Sequence, residues 1–352
     1  LWDAESPQGA FLMCGVCGVH SPDGPTDPAL LRRMLSRLCH RGPDGSGYYR
    51  DETVALGHTR LAIIDPAGGV QPMSNDDESV WVTFNGEIFN YVELAAQLAD
   101  RGHRFRTRSD TEVIIRAWEE WGPGCFERFN GQWAIGLWDR RARRLVLSRD
   151  RTGEKPLFHT RVGRRVLFAS EIKALLADEG VSPAFDPMGL AQTLCLWSPV
   201  APVTAFAGVS QVPPGCYVEL TAEGLSTHRY WQPDFDIRST PLVDRERDVA
   251  ELRDRLVQAT RLRFLRSDVP VGAYLSGGID SAITAGVIAR FTDGPLRTFS
   301  LRFVDDEFDE GSYQHLMART LGTQHSEIVV SGTDIASVFP EVVRYAETPL
   351  LR

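Results

Sequence analysis

The sequence predicts two architectures in series: antiparallel sheets packed with helices up to about residue 200, then a parallel α/β unit. Three observations carry this. Short apolar runs closed by Gly and Asp turns recur between residues 14 and 169. Only a few segments of helical period interrupt them. After a Pro-rich connection, an apolar run enters a Gly-rich loop and then an Ala- and Ile-rich stretch, the start of a parallel strand–loop–helix unit.

Taken in order, residues 14–20 read as a strand closed by the Ser21–Gly24 turn. Residues 28–39 carry Leu30, Leu31, Met34, Leu35 and Leu38 on one helical face. Strands are expected around 53–57, 60–64, 80–84, 132–138, 144–148, 156–160 and 165–169, with helices at 90–101 and 110–121. The second helix opens on Ser109-Asp110-Thr111-Glu112, an N-terminal capping pattern. Pro199, Pro202, Pro213 and Pro214 mark a connecting region, followed by strands at 216–220 and 226–230, a polar stretch over 232–246 and a long amphipathic helix at 247–266. A strand ending at Leu275, the loop Ser276–Ser281, a helix over 282–290, a strand Leu296–Phe303, a helix at 310–321 and a strand His325–Val330 complete the pattern.

The 352-residue chain carries a net charge of -9, with its Lys and Arg residues dispersed. That balance disfavours tracking nucleic acid phosphates, and the one basic cluster, Arg140–Arg144, reads as a solvated hairpin. No apolar run approaches the length of a membrane span. The six cysteines are scattered, which suits free thiols in a reducing cytoplasm. Cys14-x-x-Cys17 has redox spacing but neither a preceding strand nor a second ligand pair, so no metal ligand set is assigned.

Met13-Cys14 is an unusual pair. Removal of an initiator Met would leave Cys14 terminal, with an α-amine of pKa about 7.7–8.0 as its own base. Residues 1–13 are therefore expected to be a non-native or removed leader: a translated upstream frame or a short pro-segment. The remaining option is an ordinary tail that leaves Cys14 inert. Acidic Asp3 and Glu5 and the lack of a basic start exclude a signal peptide.

Three further segments place polar groups where strands prefer apolar ones. Arg60 precedes Leu61-Ala62-Ile63-Ile64, Asn85-Gly86-Glu87 reads as a strand-to-helix turn, and Asp110 stands at a helix start. Singly, these fit a surface ion pair, a turn and a cap. Together they match what amide hydrolysis on a free amino acid requires: a guanidinium for the α-carboxylate, a carboxylate for the α-ammonium, and an amide plus a Gly N–H for an oxyanion.

Cys14-Gly15-Val16, His40–Gly45, Gly57–Ile64, Asn85–Tyr91, Arg108–Val113, Arg149–Phe158 and Phe168–Leu175 resemble class II glutamine amidotransferase domains. With the second half, the chain is similar to glutamine-hydrolysing asparagine synthetases over nearly all of 14–352. The resemblance implies an α+β N-terminal-nucleophile hydrolase sandwich (αββα) over 14–205, connecting strands and a linker over 206–246, and an α/β parallel-sheet ATP-pyrophosphatase domain over 247–352, expected to be truncated. It makes Cys14 the nucleophile and Asn85 and Gly86 the oxyanion hole. Arg60, Leu61, Ala62, Ile63, Ile64, Glu87 and Asp110 would bind glutamine, with Asp110 leading for its ammonium.

Ser276-Gly277-Gly278-Ile279-Asp280-Ser281 lacks the lysine of a Walker loop, but its glycines and hydroxyls suit a phosphate at a helix start. It resembles the pyrophosphate loop of ATP pyrophosphatases. By that likeness Ser276, Gly277, Gly278 and Ser281 hold ATP phosphates, Leu275 and Leu301 contact adenosine, and Asp280 serves Mg2+ and pyrophosphate. Glutamine, aspartate and ATP are the implied substrates, with asparagine the product. The likeness allows a homodimer.

The family's second motif, Ser-Gly-Glu-Gly, does not occur here, and Glu347 is assigned no role. Four alternatives remain: an amidotransferase of another pathway, which the Ser276–Ser281 loop opposes; a β-lactam-forming relative without a working glutaminase, which Cys14 opposes; a relative acting on a carboxylate of a secondary-metabolite or cell-envelope intermediate; and an inactive glutaminase scaffold.

Overall fold

A computed structural model describes residues 13–235, 245–291 and 294–350. Except for Met13, the expected leader lies outside the described residues, as does most of the polar stretch 232–246. The chain forms two compact units, Leu1–Pro233 with Ala346–Arg352, and Asp234–Tyr345.

In the first unit, β1 (Gly15–His20) leads to α1 (Pro28–Ser36), β2 (Gly45–Arg50), β3 (Val54–Arg60), β4 (Met73–Ser74) and β5 (Val80–Ile88). Then come α2 (Tyr91–Asp100), α3 (Asp110–Trp121), α4 (Cys125–Arg128), β6 (Gly131–Asp139), β7 (Arg144–Arg149), β8 (Phe158–Val162) and β9 (Arg165–Ala169). α5 (Ile172–Leu175), α6 (Pro187–Leu196), β10 (Val209–Gln211), β11 (Cys216–Thr221) and β12 (Gly224–Arg229) follow. Two six-stranded sheets result, ordered β10-β8-β9-β1-β3-β2 and β12-β11-β7-β6-β5-β4. Neighbours within each sheet pair antiparallel.

Strand alternation builds the layers. On β1, Cys17 and Val19 pack with Leu30, Leu31 and Met34 of α1, while Val16 faces the opposite way, into the core between the sheets. On the far side, Val82, Phe84 and Ile88 of β5 pack against Leu94, Leu98, Val113 and Ile114 of α2 and α3. The order helix, sheet, sheet, helix is the expected αββα sandwich.

Phe168 of β9, fully buried, locks the two sheets together. A Cβ built on Gly18 of β1 would lie 2.4 Å from its ring, and one on Gly136 of β6 2.7 Å. Two glycines in different sheets thus leave room for one large ring.

Several expectations are corrected. The strands expected at 53–57 and 60–64 are one strand, β3, ending at Arg60. Asp65 bends the chain away by accepting from Gly68 N and Arg108 N at 2.9 Å each. Asn85-Gly86-Glu87 is not a turn: it lies in β5, opposite Ala134, Trp133 and Gln132. The two strands assigned to a connector over 206–246 belong to the sandwich, with β11 on β7 and β12 on β11, and the unanticipated β10 pairs with β8. β2 and α6 were not anticipated, because exposed Tyr48, Met188, Leu194 and Leu196 blur their apolar period. The basic cluster forms the β6–β7 hairpin as expected, and Arg144 pairs with Glu219 at 3.0 Å.

The second unit runs α7 (Arg245–Leu265), β13 (Ala273–Tyr274), α8 (Ile279–Ile288), β14 (Arg297–Phe303), α9 (Gly311–Leu321), β15 (Gln324–Val330) and α10 (Gly332–Ala346). Its three strands form the expected parallel sheet, β13-β14-β15. All six cysteines are free thiols. No helix among the described residues is long and apolar enough to cross a membrane.

Truncating Phe168 to Ala opens a void between Gly18 and Gly136. The expected loss is about 3–5 kcal/mol of first-unit stability, seen as a lower urea midpoint in tryptophan fluorescence. An unchanged midpoint would show that this ring does not join the sheets.

Candidate active site

Pairing of Gly15 with Thr59 and Val16 with His58 brings Cys14 to the point where β3 stops. Leu61 N donates to Cys14 Sγ at 3.3 Å, and the thiol donates to Leu61 O at 3.4 Å. Arg41 Nε donates to the Cys14 carbonyl at 2.9 Å, and Met13 N to Arg41 O at 2.8 Å. Burial pushes the thiol up, against the Leu61 hydrogen bond and the charges of Arg60 and Arg41. The thiol therefore needs a base. While Met13 is attached, the Cys14 nitrogen is an amide and cannot be one.

One cavity is lined by Cys14, Arg60, Leu61, Ile63, Ile64, Asn85, Gly86, Glu87 and Asp110. Ala62 is not among the lining residues; its N–H donates to Asp44 Oδ2 at 2.8 Å. Arg60 is held by backbone, with Nη1 on Pro66 O at 2.6 Å and Nη2 on Asp65 O at 2.8 Å. Gly69 makes room for it, since a Cβ there would stand 2.8 Å from Nη2.

Asn85 is buried, yet its Nδ2 has no partner among the described residues. A buried amide donor normally finds an acceptor, so one without any, on a residue that lines the same cavity as Cys14, is a candidate for an arriving oxygen. Next to it, Gly86 has φ +150, and a Cβ would lie 2.0 Å from Gln132 O. Only glycine fits that backbone.

Asp110 reads as a cap in sequence, but Ser109 is the cap: its Oγ accepts from Thr111 N at 3.2 Å. Asp110 is left to line the cavity, accepting from Ile88 N at 3.0 Å. Burial, helped by the charge of Glu87, pushes its carboxyl up to about 7.

Lys155 also lines the cavity, a residue that sequence reading left without a role. Its Nζ donates to Met13 Sδ at 3.2 Å, and burial lowers its pKa. Buried Asp150 sets the loop that carries it, accepting from Trp133 N, Thr152 N, Glu154 N and Lys155 N. Composition holds no signal for this, because the aim of Lys155 comes from how its loop folds.

In the second unit, Ser276–Ser281 joins β13 to α8. Ser276 Oγ and Ser281 Oγ lie 3.0 Å apart, Gly278 N donates to Ser276 Oγ at 3.3 Å, and Ser281 Oγ donates to Gly278 O at 3.0 Å. Gly277 has φ +90, and a Cβ there would meet that of Glu310 at 2.9 Å. Asp280 is exposed, and Leu275 N donates to Phe299 O at 2.8 Å. Gln314 Nε2 bridges Ser276 O and Leu301 O, tying α9 to the loop and to β14.

A family model described as a glutamine amidotransferase domain matches residues 13–231, and one described as asparagine synthase matches residues 251–352. The chain belongs to the glutamine amidotransferase family. Within it, the chain is of the asparagine synthetase type. Over 343 residues it is 34% identical to glutamine-hydrolyzing asparagine synthetase 1 of Bacillus subtilis, covering 96% of this chain and 53% of that protein. Asparagine synthetase 3 of the same organism is 33% identical over 356 residues, covering 96% and 57%. Amidase chry2 of Gibberella zeae is 32% identical over 369 residues, covering 96% and 54%. The chain spans about half the length of these curated relatives. The amidotransferase match takes in β10, β11 and β12, in agreement with their place in the sandwich.

Between the ordinary carboxyl pKa of about 4 and the raised value of about 7, folded Asp110 keeps a proton that the unfolded chain has lost. The unfolded state then binds fewer protons, so this group lowers stability as pH rises through that window. Asp110→Asn preserves an acceptor for Ile88 N and removes the burden. At pH 8 the variant is expected to unfold at higher denaturant than the wild type, with the difference closing towards pH 4. Equal midpoints at both pH values would refute the buried-carboxyl assignment.

Proposed function

We propose that this protein hydrolyses glutamine to glutamate and ammonia at Cys14, and that the ammonia amidates a carboxylate activated with ATP. The observation that carries the first half is the unpartnered, buried Asn85 Nδ2 beside Gly86 and Cys14, in a cavity that also holds Arg60 and Asp110. Removal of Met13 turns the Cys14 nitrogen into an amine that takes the thiol proton. The thiolate attacks the glutamine side-chain carbonyl, forming a C–S bond. Asn85 Nδ2 and Gly86 N–H receive the oxyanion. Collapse breaks the C–N bond, the amine's proton leaves with ammonia, and water then cleaves the thioester to release glutamate. Arg60 takes the substrate α-carboxylate, while Asp110 and Glu87 take its α-ammonium. An ionised Asp110 suits that task, so glutamine binding strengthens as pH rises through about 7.

In the second half, Ser276, Gly277, Gly278 and Ser281 are proposed to hold ATP phosphates, and Leu275 and Leu301 to lie along adenosine. The tight Gly277 backbone and the two hydroxyls fit a phosphate cradle. Asp280 is the carboxylate suited to Mg2+, which commonly keeps waters and one or two carboxylates beside phosphate oxygens. The acceptor is proposed to be aspartate, giving asparagine, through an aspartyl adenylate with loss of pyrophosphate. The fungal amidase relative motivates one second reading, the same chemistry on a different carboxylate, which the asparagine synthetase relatives do not favour.

The test is glutamate release from glutamine by protein expressed from Met13, with intact mass showing Cys14 at the terminus. Cys14→Ala is expected to reduce release by about a thousandfold or more. Asp110→Asn is expected to raise KM for glutamine about tenfold, from loss of a charged hydrogen bond, with a smaller change in kcat. No release from folded, processed protein would refute the glutaminase reading. Pyrophosphate release from ATP that depends on aspartate supports the acceptor; release only with another carboxylate supports the second reading.

A further inference from the structure

A chain of buried charges runs from the Cys14 backbone to Glu347. Arg41, whose Nε holds the Cys14 carbonyl, donates through Nη1 to Glu171 Oε1 at 2.8 Å. His40 Nε2 reaches the same oxygen at 3.0 Å. Lys173 Nζ donates to Glu171 Oε2 at 2.5 Å and lies 3.1 Å from Glu347 Oε1. Glu347 also accepts from Ile172 N at 2.5 Å and Lys173 N at 2.6 Å. The side chains of Arg41, Glu171, Lys173 and Glu347 are all close to fully buried. Burial opposes ionisation of Glu171, but His40, Arg41 and Lys173 outweigh it and hold the carboxyl down at about 2.

Glu347 directly follows α10 in the chain, and its segment, Ala346–Arg352, groups with the first unit. It sits at φ +54, in the left-handed region that side chains other than Gly, Asn and Asp rarely adopt. Such backbone persists where surrounding contacts over-determine it, and here three bonds to Ile172 and Lys173 do so. A carboxylate held this way, more than 170 residues from its partners in sequence, does more than fill space.

We propose that Glu347 is a positioning residue for the nucleophile, acting through Lys173, Glu171 and Arg41 on the carbonyl of Cys14. With Glu347 in place, Lys173 shares its charge between two carboxylates and Glu171 stays turned to Arg41. Without it, Lys173 turns its charge on Glu171 in competition with Arg41, α5 loses the acceptor at Ile172 N and Lys173 N, and the geometry that Glu171 gives Arg41 is loosened. Cys14 then loses the anchor that aims its sulfur. The glutaminase would thus be sensitive to the state of the chain beyond α10.

This inference rests on the glutaminase reading but is tested apart from it, by two readouts on the processed protein. The first is steady-state glutamine hydrolysis; the second is the rate of Cys14 alkylation by iodoacetamide, read by peptide mass. Glu347→Ala is expected to lower kcat about tenfold, as slight misplacement of a reacting group does, with KM for glutamine within about twofold, and to change the alkylation rate by at least about threefold. Lys173→Met keeps the backbone bonds to Glu347 and serves if Glu347→Ala misfolds by circular dichroism. The double variant is expected to be no worse than the more impaired single one, since both interrupt one chain of contacts. If the wild type shows no glutamate release, the glutaminase reading fails and alkylation alone decides the relay. Unchanged kcat and alkylation in folded Glu347→Ala or Lys173→Met, or additive effects in the double variant, would overturn it.

Discussion

Cys14 stands one residue before β1, so the register of β1 against β3 decides where its sulfur lies. Because Gly15 pairs with Thr59, the thiol meets the backbone of Leu61, where β3 has ended and the amide and carbonyl face a side chain instead of a strand. A slip of one residue would turn Val16 out of the core between the sheets and Cys17 into it. The hydrophobic pattern therefore holds the Cys14 sulfur in place. The same register puts Arg60, the last residue of β3, at the mouth of the cavity.

Around that strand end the molecule concentrates groups that are unfavourable to bury: a raised carboxyl on Asp110, a lowered amine on Lys155, a donor on Asn85 without an acceptor, and the ion chain from Arg41 to Glu347. Elsewhere in the sandwich many buried polar groups find partners, as Trp133 Nε1 does on Ser148 Oγ at 3.0 Å, although His58 Nε2 and Arg116 Nε have none among the described residues. Stability comes from the aliphatic and aromatic layers on both sides of the sheets, while Asp110, Lys155 and Asn85 share the one cavity that Cys14 lines. That division is common where local stability gives way to chemistry.

Much of the fold was legible because long segments with clear period leave few options. β1, α3, β9, β14 and α9 fall where alternation or helical spacing puts them. The strand pair β11–β12 was legible as strands but not as part of the sandwich, since period says nothing about which sheet a strand joins. Exposed elements such as β2 and α6 were missed for want of an apolar face. Of the site, Cys14, Arg60, Asn85, Gly86, Glu87 and Asp110 were marked by their chemistry, and they do share one cavity. Ala62 was marked only by adjacency and faces away. Lys155 carried no mark, because a lysine in a polar loop looks like any solvated one until Asp150 folds that loop inward.

By itself the sequence determined the candidate reacting groups, their order along the chain, the layered α+β class of the first half and the strand–loop–helix start of the second. These depend on local chemistry and on periods of two and 3.6 residues, both written along the chain. Tertiary structure alone decided which of those groups meet. It left Asn85 Nδ2 without a partner, required Gly86 to be bare against Gln132 O, and bound Glu347 to the backbone at Ile172 and Lys173. Pairings across such distances are set by packing of the whole sandwich, where one ring between Gly18 and Gly136 fixes the sheets, and no local pattern encodes them.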